Sequence, residues 1–288
     1  MKWIVLASAL VGLALPCAPA EAAPAKRKAP VAKARPKPAP APKPKSEAEQ
    51  IVEAYALNLL PDARKAPAFC KPVKFAYLAD VMLEHGGSFT SAQGEFESTA
   101  DYNDRITRFS SILSGMGPVS VCLDLNSEAR YNADAEEFSF SVYQHPLIYS
   151  NEKTLPSATG KTLSGVSFRY DRSIEWNYRA VFDLDRARFA GNCATFSGLM
   201  LNFKVPHPAH SAPALKADGQ LVIQGELTPP FASTSQDEHD ATLIERWQSL
   251  TVEAELHMVP RKLMIVDGGG EVIWECAAIG PTHVGSDR

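Results

Sequence analysis

The sequence predicts an α+β protein, with N-terminal helices followed by a long, mainly antiparallel β-sheet or sandwich. Apolar residues recur at helical spacing as far as Leu113, and from Pro118 onward the period switches to two. In that second part apolar and polar residues alternate cleanly, which implies antiparallel strands with one wetted face.

The first helix is expected to begin at Ser46-Glu47-Ala48-Glu49, a capping-box pattern, with Ile51, Tyr55 and Leu59 on one face and Pro61 marking its end. A second short helix is expected over 75–85, stopped by Gly86-Gly87. A third is expected over 92–114, where Tyr102, Ile106, Phe109 and Leu113 form the apolar stripe. Strands follow. Val119, Val121, Leu123 and Leu125 alternate with Ser120, Cys122 and Asp124, and Phe138, Phe140 and Val142 alternate with Glu137, Ser139 and Ser141. The pattern resumes at Val166–Tyr170 and continues through 174–183. Asp185 is expected to cap a short alanine-rich helix near 186–195. Further strands are expected at 198–205, 220–227 and 250–259. A hairpin then joins 262–267 to 271–276 across Asp267-Gly268-Gly269-Gly270.

Ahead of this body the chain has a different composition. Residues 1–22 read as a secretory signal peptide: Lys2, then the uncharged stretch Trp3–Leu15, then Ala18-Pro19-Ala20 as a small-residue cleavage site. The apolar run is too short for a membrane-spanning helix, which needs about 20 residues. Pro16 before Cys17 does not suit a lipidation site.

Residues 23–46 read as a disordered Pro/Ala/Lys-rich linker. Positions 24–45 hold eight Lys or Arg, seven Pro and no acid. With alanine as almost the only apolar residue, this stretch cannot bury enough surface to offset the entropy of ordering it. Its prolines favour an extended polyproline-II spacer.

Residues 47–280 are expected to form a single α+β domain, and 281–288 a flexible tail. The whole chain has 29 Lys/Arg and 33 Asp/Glu; nine of the bases and one acid lie in 1–46, leaving 20 against 32 in 47–288, a net charge of −12. Such a body repels phosphate backbones, so nucleic acid is excluded as a partner. The partner the linker fits is an anionic cell-envelope surface. The export signal implies a periplasmic or secreted location. In an oxidising compartment Cys70, Cys122, Cys193 and Cys276 are expected to form two disulfides, with Cys70–Cys122 and Cys193–Cys276 favoured because they close the smaller loops. None has CxxC or zinc-ribbon spacing.

No motif assigns a catalytic residue or a cofactor. There is no Gly-x-Ser-x-Gly elbow. Ala158–Thr162 ends like a phosphate-binding loop, but Leu155 stands where its first glycine belongs. The metal candidates are His207 and His210 in a proline-rich stretch, and Asp237, His239 and Asp240 in a polar one; both stretches read as loops. His257 is expected on the exposed polar face of its strand, and His145, before Pro146, in a turn. The reading is an exported, bacterial-type envelope protein: a non-catalytic binding or structural module on a basic tether. The alternative is a secreted metal-dependent hydrolase built on His207, His210 and the 237–240 cluster.

Processing gives the first test. Mass spectrometry of the exported protein should place its N-terminus at Glu21 or within about three residues of it. An intact Met1, or a diacylglycerol on Cys17, would contradict the reading.

Overall fold

The computed structural model describes residues 45–62, 65–85 and 93–279. The expected signal peptide, nearly all of the linker and the 281–288 tail lie outside the described residues.

Helix α1 (Glu47–Ala56) starts as its capping box dictates. Ser46 Oγ accepts from the Glu49 amide at 3.3 Å, and the Glu49 carboxylate accepts from the Ser46 amide at 2.8 Å. Helix α2 (Ala66–Phe69) is a single turn. Helix α3 (Pro72–His85) begins three residues earlier than expected, with proline at its first position, where a missing N–H is no loss. Asn58 binds α1 to α3: its side-chain amide donates to the carbonyls of Ala54 and Lys74 at 3.0 and 3.1 Å. Helix α4 (Thr99–Ser114) is shorter than the expected 92–114. Ser98 caps it by accepting from the Asp101 amide, and Glu97, just outside, grips Arg105 through two hydrogen bonds of 2.8 and 2.7 Å.

The strands follow as β1 (Val119–Asp124), β2 (Ala129–Asn132), β3 (Glu137–Tyr143), β4 (Leu147–Lys161), β5 (Ser167–Phe182), β6 (Ala194–Ser197), β7 (Met200–Pro206), β8 (Gln220–His239), β9 (Trp247–Val266) and β10 (Val272–Ala277). Helix α5 (Leu125–Glu128) sits between β1 and β2, and α6 (Ala212–Asp218) between β7 and β8. One sheet has the order β1-β8-β9-β5-β4, with β10 also on β9, and the other runs β2-β3-β7-β6. Pairing is antiparallel throughout except for β5 with β9, which is parallel over Asp171–Phe182. The α+β architecture therefore stands as the sequence implies.

Strands β8 and β9 are each 20 residues long and pair along nearly their whole length. Two irregularities interrupt them. At the first, Gly225 lies so close to β9 that a Cβ would stand 2.8 Å from the Val259 carbonyl. At the second, between Leu227 and Ala232, Phe231 adopts φ +61°. That conformation costs a bulky residue roughly 1–2 kcal/mol. It is held because the Phe231 ring is wholly buried and meets Phe109 of α4 edge-on at 5.0 Å.

These irregularities divide the larger sheet into two unlike halves. In the first half, formed by β1, the start of β8, the end of β9 and β10, both faces are covered. Leu221, Ile223, Leu263 and Ile265 join the main core with α1, α3, α4 and the inner residues of the smaller sheet. The intervening Val222, Met264 and Val266 face a second cluster with Leu60 and Ala66, flanked by Phe69, Cys70 and Cys122. The expected wet face is thus corrected here: Ser120 is buried, and Cys122 points into an apolar cluster.

The second half is a blade in the order β8-β9-β5-β4. Burial ends near Tyr178, Ala254 and Ala232, and from there β8 and β9 run on as far as His239 and Trp247, roughly 23 Å, while β5 reaches back to Ser167. On one face Ile174 pairs with Leu250 and Trp176 with Val252, all half-buried. The other face is polar, with Ser150 donating to Glu175 and Ser157 to Asp171. At its root the Tyr178 hydroxyl donates to Asp80 of α3 at 3.0 Å. Burial pushes the Asp80 carboxyl up, and burial together with Asp80 pushes the Tyr178 hydroxyl up to about 12.

Two further expectations are corrected. No helix forms over 186–195. Asp183, not Asp185, accepts from the Arg186 amide, and Gly191 and Asn192 take left-handed φ values of 61° and 55°, which stop a helix after one 3-10 turn. Residues 237–239 are strand, not loop, because β8 continues on β9 as far as His239↔Ser249.

Disulfides join Cys70 to Cys122 and Cys193 to Cys276, with Cα separations of 5.6 and 6.0 Å. The first ties the helical start to β1. The second ties the turn before β6 in the smaller sheet to β10 in the larger one. They close loops of 52 and 83 residues, so loop entropy assigns each roughly 4 kcal/mol. Reduction should lower Tm sharply, and Cys193→Ala and Cys276→Ala should cost the same alone as together. Four reactive thiols in the denatured, unreduced protein would contradict the pairing.

Candidate functional site

The metal candidates fall into separate places. His207 follows β7 in the smaller sheet; its Nε2 lies 3.0 Å from Ser211 Oγ and its ring packs against Phe138. His210 lies in the turn before α6. Asp237 and His239 are exposed at the far end of β8 in the larger sheet, with Asp240 just beyond. His239 pairs with Glu245 at 3.2 Å and stacks on Trp247 with ring centroids 4.2 Å apart. The Asp240 carboxylate accepts from Gln248 at 3.4 Å. Among the described residues no three His, Cys, Asp or Glu side chains gather where they could hold a metal ion.

A different polar cluster forms where the blade leaves the body. Ser233 pairs with Glu255 across β8 and β9, and period two places His257 on the same face one step along. Ser233 Oγ lies 2.9 Å from Glu255 Oε2 and 2.8 Å from His257 Nε2. His145, between β3 and β4, brings its Nδ1 to 3.7 Å from the other Glu255 oxygen. The backbone of His145 is anchored as well, its carbonyl accepting from Arg179 at 3.2 Å; Arg179 also grips Glu253 at 2.6 Å.

This corrects the exposed reading of His257, which is partly buried and hydrogen-bonded. It also lines a cleft of about 380 Å³ with Gln144, Asp183, Asp185 and Thr228. Burial is the main reason the His257 imidazole is held below its ordinary range; His145 adds to this and Glu255 opposes it.

The chemistry of the cluster follows from one proton. A hydroxyl has a single hydrogen, and the carboxylate is the stronger acceptor, so Ser233 donates to Glu255 and receives the Nε2–H of neutral His257. In that tautomer the imidazole is a donor and does not act as a base toward Ser233. A nucleophilic relay needs the carboxylate on the far ring nitrogen instead. The cluster therefore orders the junction of β8, β9 and the β3–β4 turn, with a neutral imidazole as part of the structure. Sequence alternation could have found it: Ser233, Glu255 and His257 are polar residues on strands whose other face is core.

At the opposite end of the blade, large apolar side chains stand in solvent. Leu163 and Val166 lie in the β4–β5 turn, Leu243 and Ile244 in the β8–β9 turn, and Trp247 beside them at the start of β9. Leu163 is fully exposed and Ile244 is 93% exposed. Both turns are at the same end, because the Asp171 amide donates to the Arg246 carbonyl at 3.0 Å while Lys161 pairs with Ser167 just beyond.

Comparison with protein-family models, with curated proteins and with solved structures finds no match.

The His257 geometry generates a pH test. A folded-state imidazole held below its ordinary value takes up protons less readily than the unfolded chain. Its contribution is therefore complete above the ordinary histidine range, near 6.5, and is lost as pH falls through it. His257→Gln retains a donor toward Ser233 and removes the ionisation. The drop in Tm between about pH 7.5 and about pH 5.5 should then be smaller in the variant than in the parent. An equal drop in both would show that His257 does not carry the acid sensitivity.

Proposed function

We propose that this chain is an exported cell-envelope protein, periplasmic or secreted, that works as a non-catalytic binding or structural module on a basic, proline-rich tether. The observation that carries this reading is the blade, a four-stranded half-sheet that leaves the core, with outer edges at β4 and at the far half of β8 that pair with no other strand among the described residues. A surface of that kind serves contact with a large partner. The signal-like 1–22 segment and the eight bases of 24–45 support export and an anionic envelope partner. Two disulfides are compatible with an oxidising compartment, and among the described residues no helix is long and apolar enough to cross a membrane. The metal-dependent hydrolase reading would need His207 and His210, which follow β7 of the smaller sheet, beside Asp237–Asp240, at the far end of β8 in the larger.

Deleting residues 23–46 should leave Tm nearly unchanged while reducing retention of the protein on isolated envelopes. Retention of the full chain should weaken as salt rises from low to physiological strength, as exposed charges more than about 8–10 Å apart become screened. A fall in Tm of several degrees on deletion would show that the segment packs on the body. Retention indifferent both to salt and to the deletion would remove the tether from the function.

A further inference from the structure

We infer that the distal end of the blade is a membrane-docking element whose two turns enter the interface of a phospholipid bilayer bearing anionic headgroups. This rests on the envelope reading above and names the surface that would be engaged.

Five large apolar side chains stand at one end of the blade, and two of them, Leu163 and Ile244, are almost wholly exposed. Soluble proteins expose single apolar residues routinely; a set of them on two turns at one end marks a contact surface. The arrangement favours a bilayer over a protein partner. The side chains protrude separately from narrow turns, and a fluid interface accepts isolated protruding aliphatic groups without a complementary pocket.

Charge follows the same plan. Lys161 stands two residues before Leu163 and Arg246 two residues after Ile244, both exposed, so each protruding aliphatic group has a base at headgroup depth. The β8–β9 end also carries the exposed acids Asp237, Glu238, Asp240 and Glu245; Glu245 pairs with His239, and Glu238 and Asp240 accept from Gln248. Trp247, 48% exposed and stacked on His239, occupies the neck where an aromatic ring suits a membrane–water boundary. The β4–β5 turn extends about four residues, or roughly 13 Å, past the start of β9, so the blade meets a flat surface leaning toward its β8 edge.

The tether and the tip separate by salt. Attraction through the eight bases of 24–45 is screened, whereas burial of Leu163, Val166, Leu243 and Ile244 is not. The experiment is sedimentation of the full chain with phosphatidylcholine–phosphatidylglycerol vesicles at low and at high salt. The residual binding at high salt should fall about tenfold or more in each of Leu163→Ser and Ile244→Ser, with Tm unchanged because neither side chain packs on the fold. The emission of Trp247, identified by comparison with Trp247→Phe, should shift to the blue on vesicle addition. High-salt binding that both variants retain would overturn the inference, as would no binding at high salt. So would concentration-dependent self-association that the same two variants abolish, which would assign the tip to a second copy. Loss of low-salt binding alone on deleting 23–46 would test the tether and leave the tip result unaffected.

Discussion

The pairing of β8 with β9 is the constraint on which the other elements depend. Among the described residues β1 lies against the first half of β8, β10 against the last stretch of β9 and β5 against the first half of β9, and β4 reaches the sheet through β5. The two long strands therefore carry the sheet through two environments. At one end both of their faces are dry. At the other they stand in water, kept in register by backbone pairing and by polar cross-strand contacts such as Ser233 with Glu255 and Asn177 with Glu253. The irregularities at Gly225 and at Phe231 lie between these environments. Phe231 turns its ring inward against Phe109, so the backbone distortion that reshapes the strand also clamps α4 to it.

Sequence patterning found the fold where hydrophobic burial decides it and lost it where burial is absent. The capping box at Ser46, the alternation through Phe138–Val142 and the Asp267–Gly270 turn all carry strong local chemistry, and all are present. β4 was illegible, since Asn151–Thr154 is polar on both faces and Pro156 interrupts it. The far half of β8, beyond the strand expected at 220–227, was illegible for the same reason: no core lies beneath it to impose a period of two. The opposite failure occurs at Leu221-Val222-Ile223 and Leu263-Met264-Ile265-Val266. These unbroken apolar runs report a sheet covered on both sides, a signal that outweighs the alternation in neighbouring strands.

The candidate site was less legible than the fold because proximity across strands is invisible to local spacing. His207 and His210, three residues apart, attract attention as an HxxH pair, yet the ring of His207 is occupied by Ser211. Ser233 and His257 are 24 residues apart and meet at 2.8 Å, since an antiparallel pair folds distance in sequence into contact. The disulfide partners were accessible to simple reasoning for a different reason: four cysteines allow three pairings, and loop closure alone ranks them.

The parallel pairing of β5 with β9 constrains how the molecule can assemble. The β4–β5 and β8–β9 hairpins close over short turns and can form early. Joining them brings together residues such as Asn177 and Glu253, 76 positions apart, and seating β1 on β8 joins Ser120 to Gln224 across 104. Contacts of that reach form slowly, because the entropy of closing the intervening chain is lost before any packing compensates it. Until they join, each hairpin presents a bare edge, β5 in one and β9 in the other. The polar composition that hid β4 and the far half of β8 from sequence analysis then has a second role, as protection of those edges against mispairing.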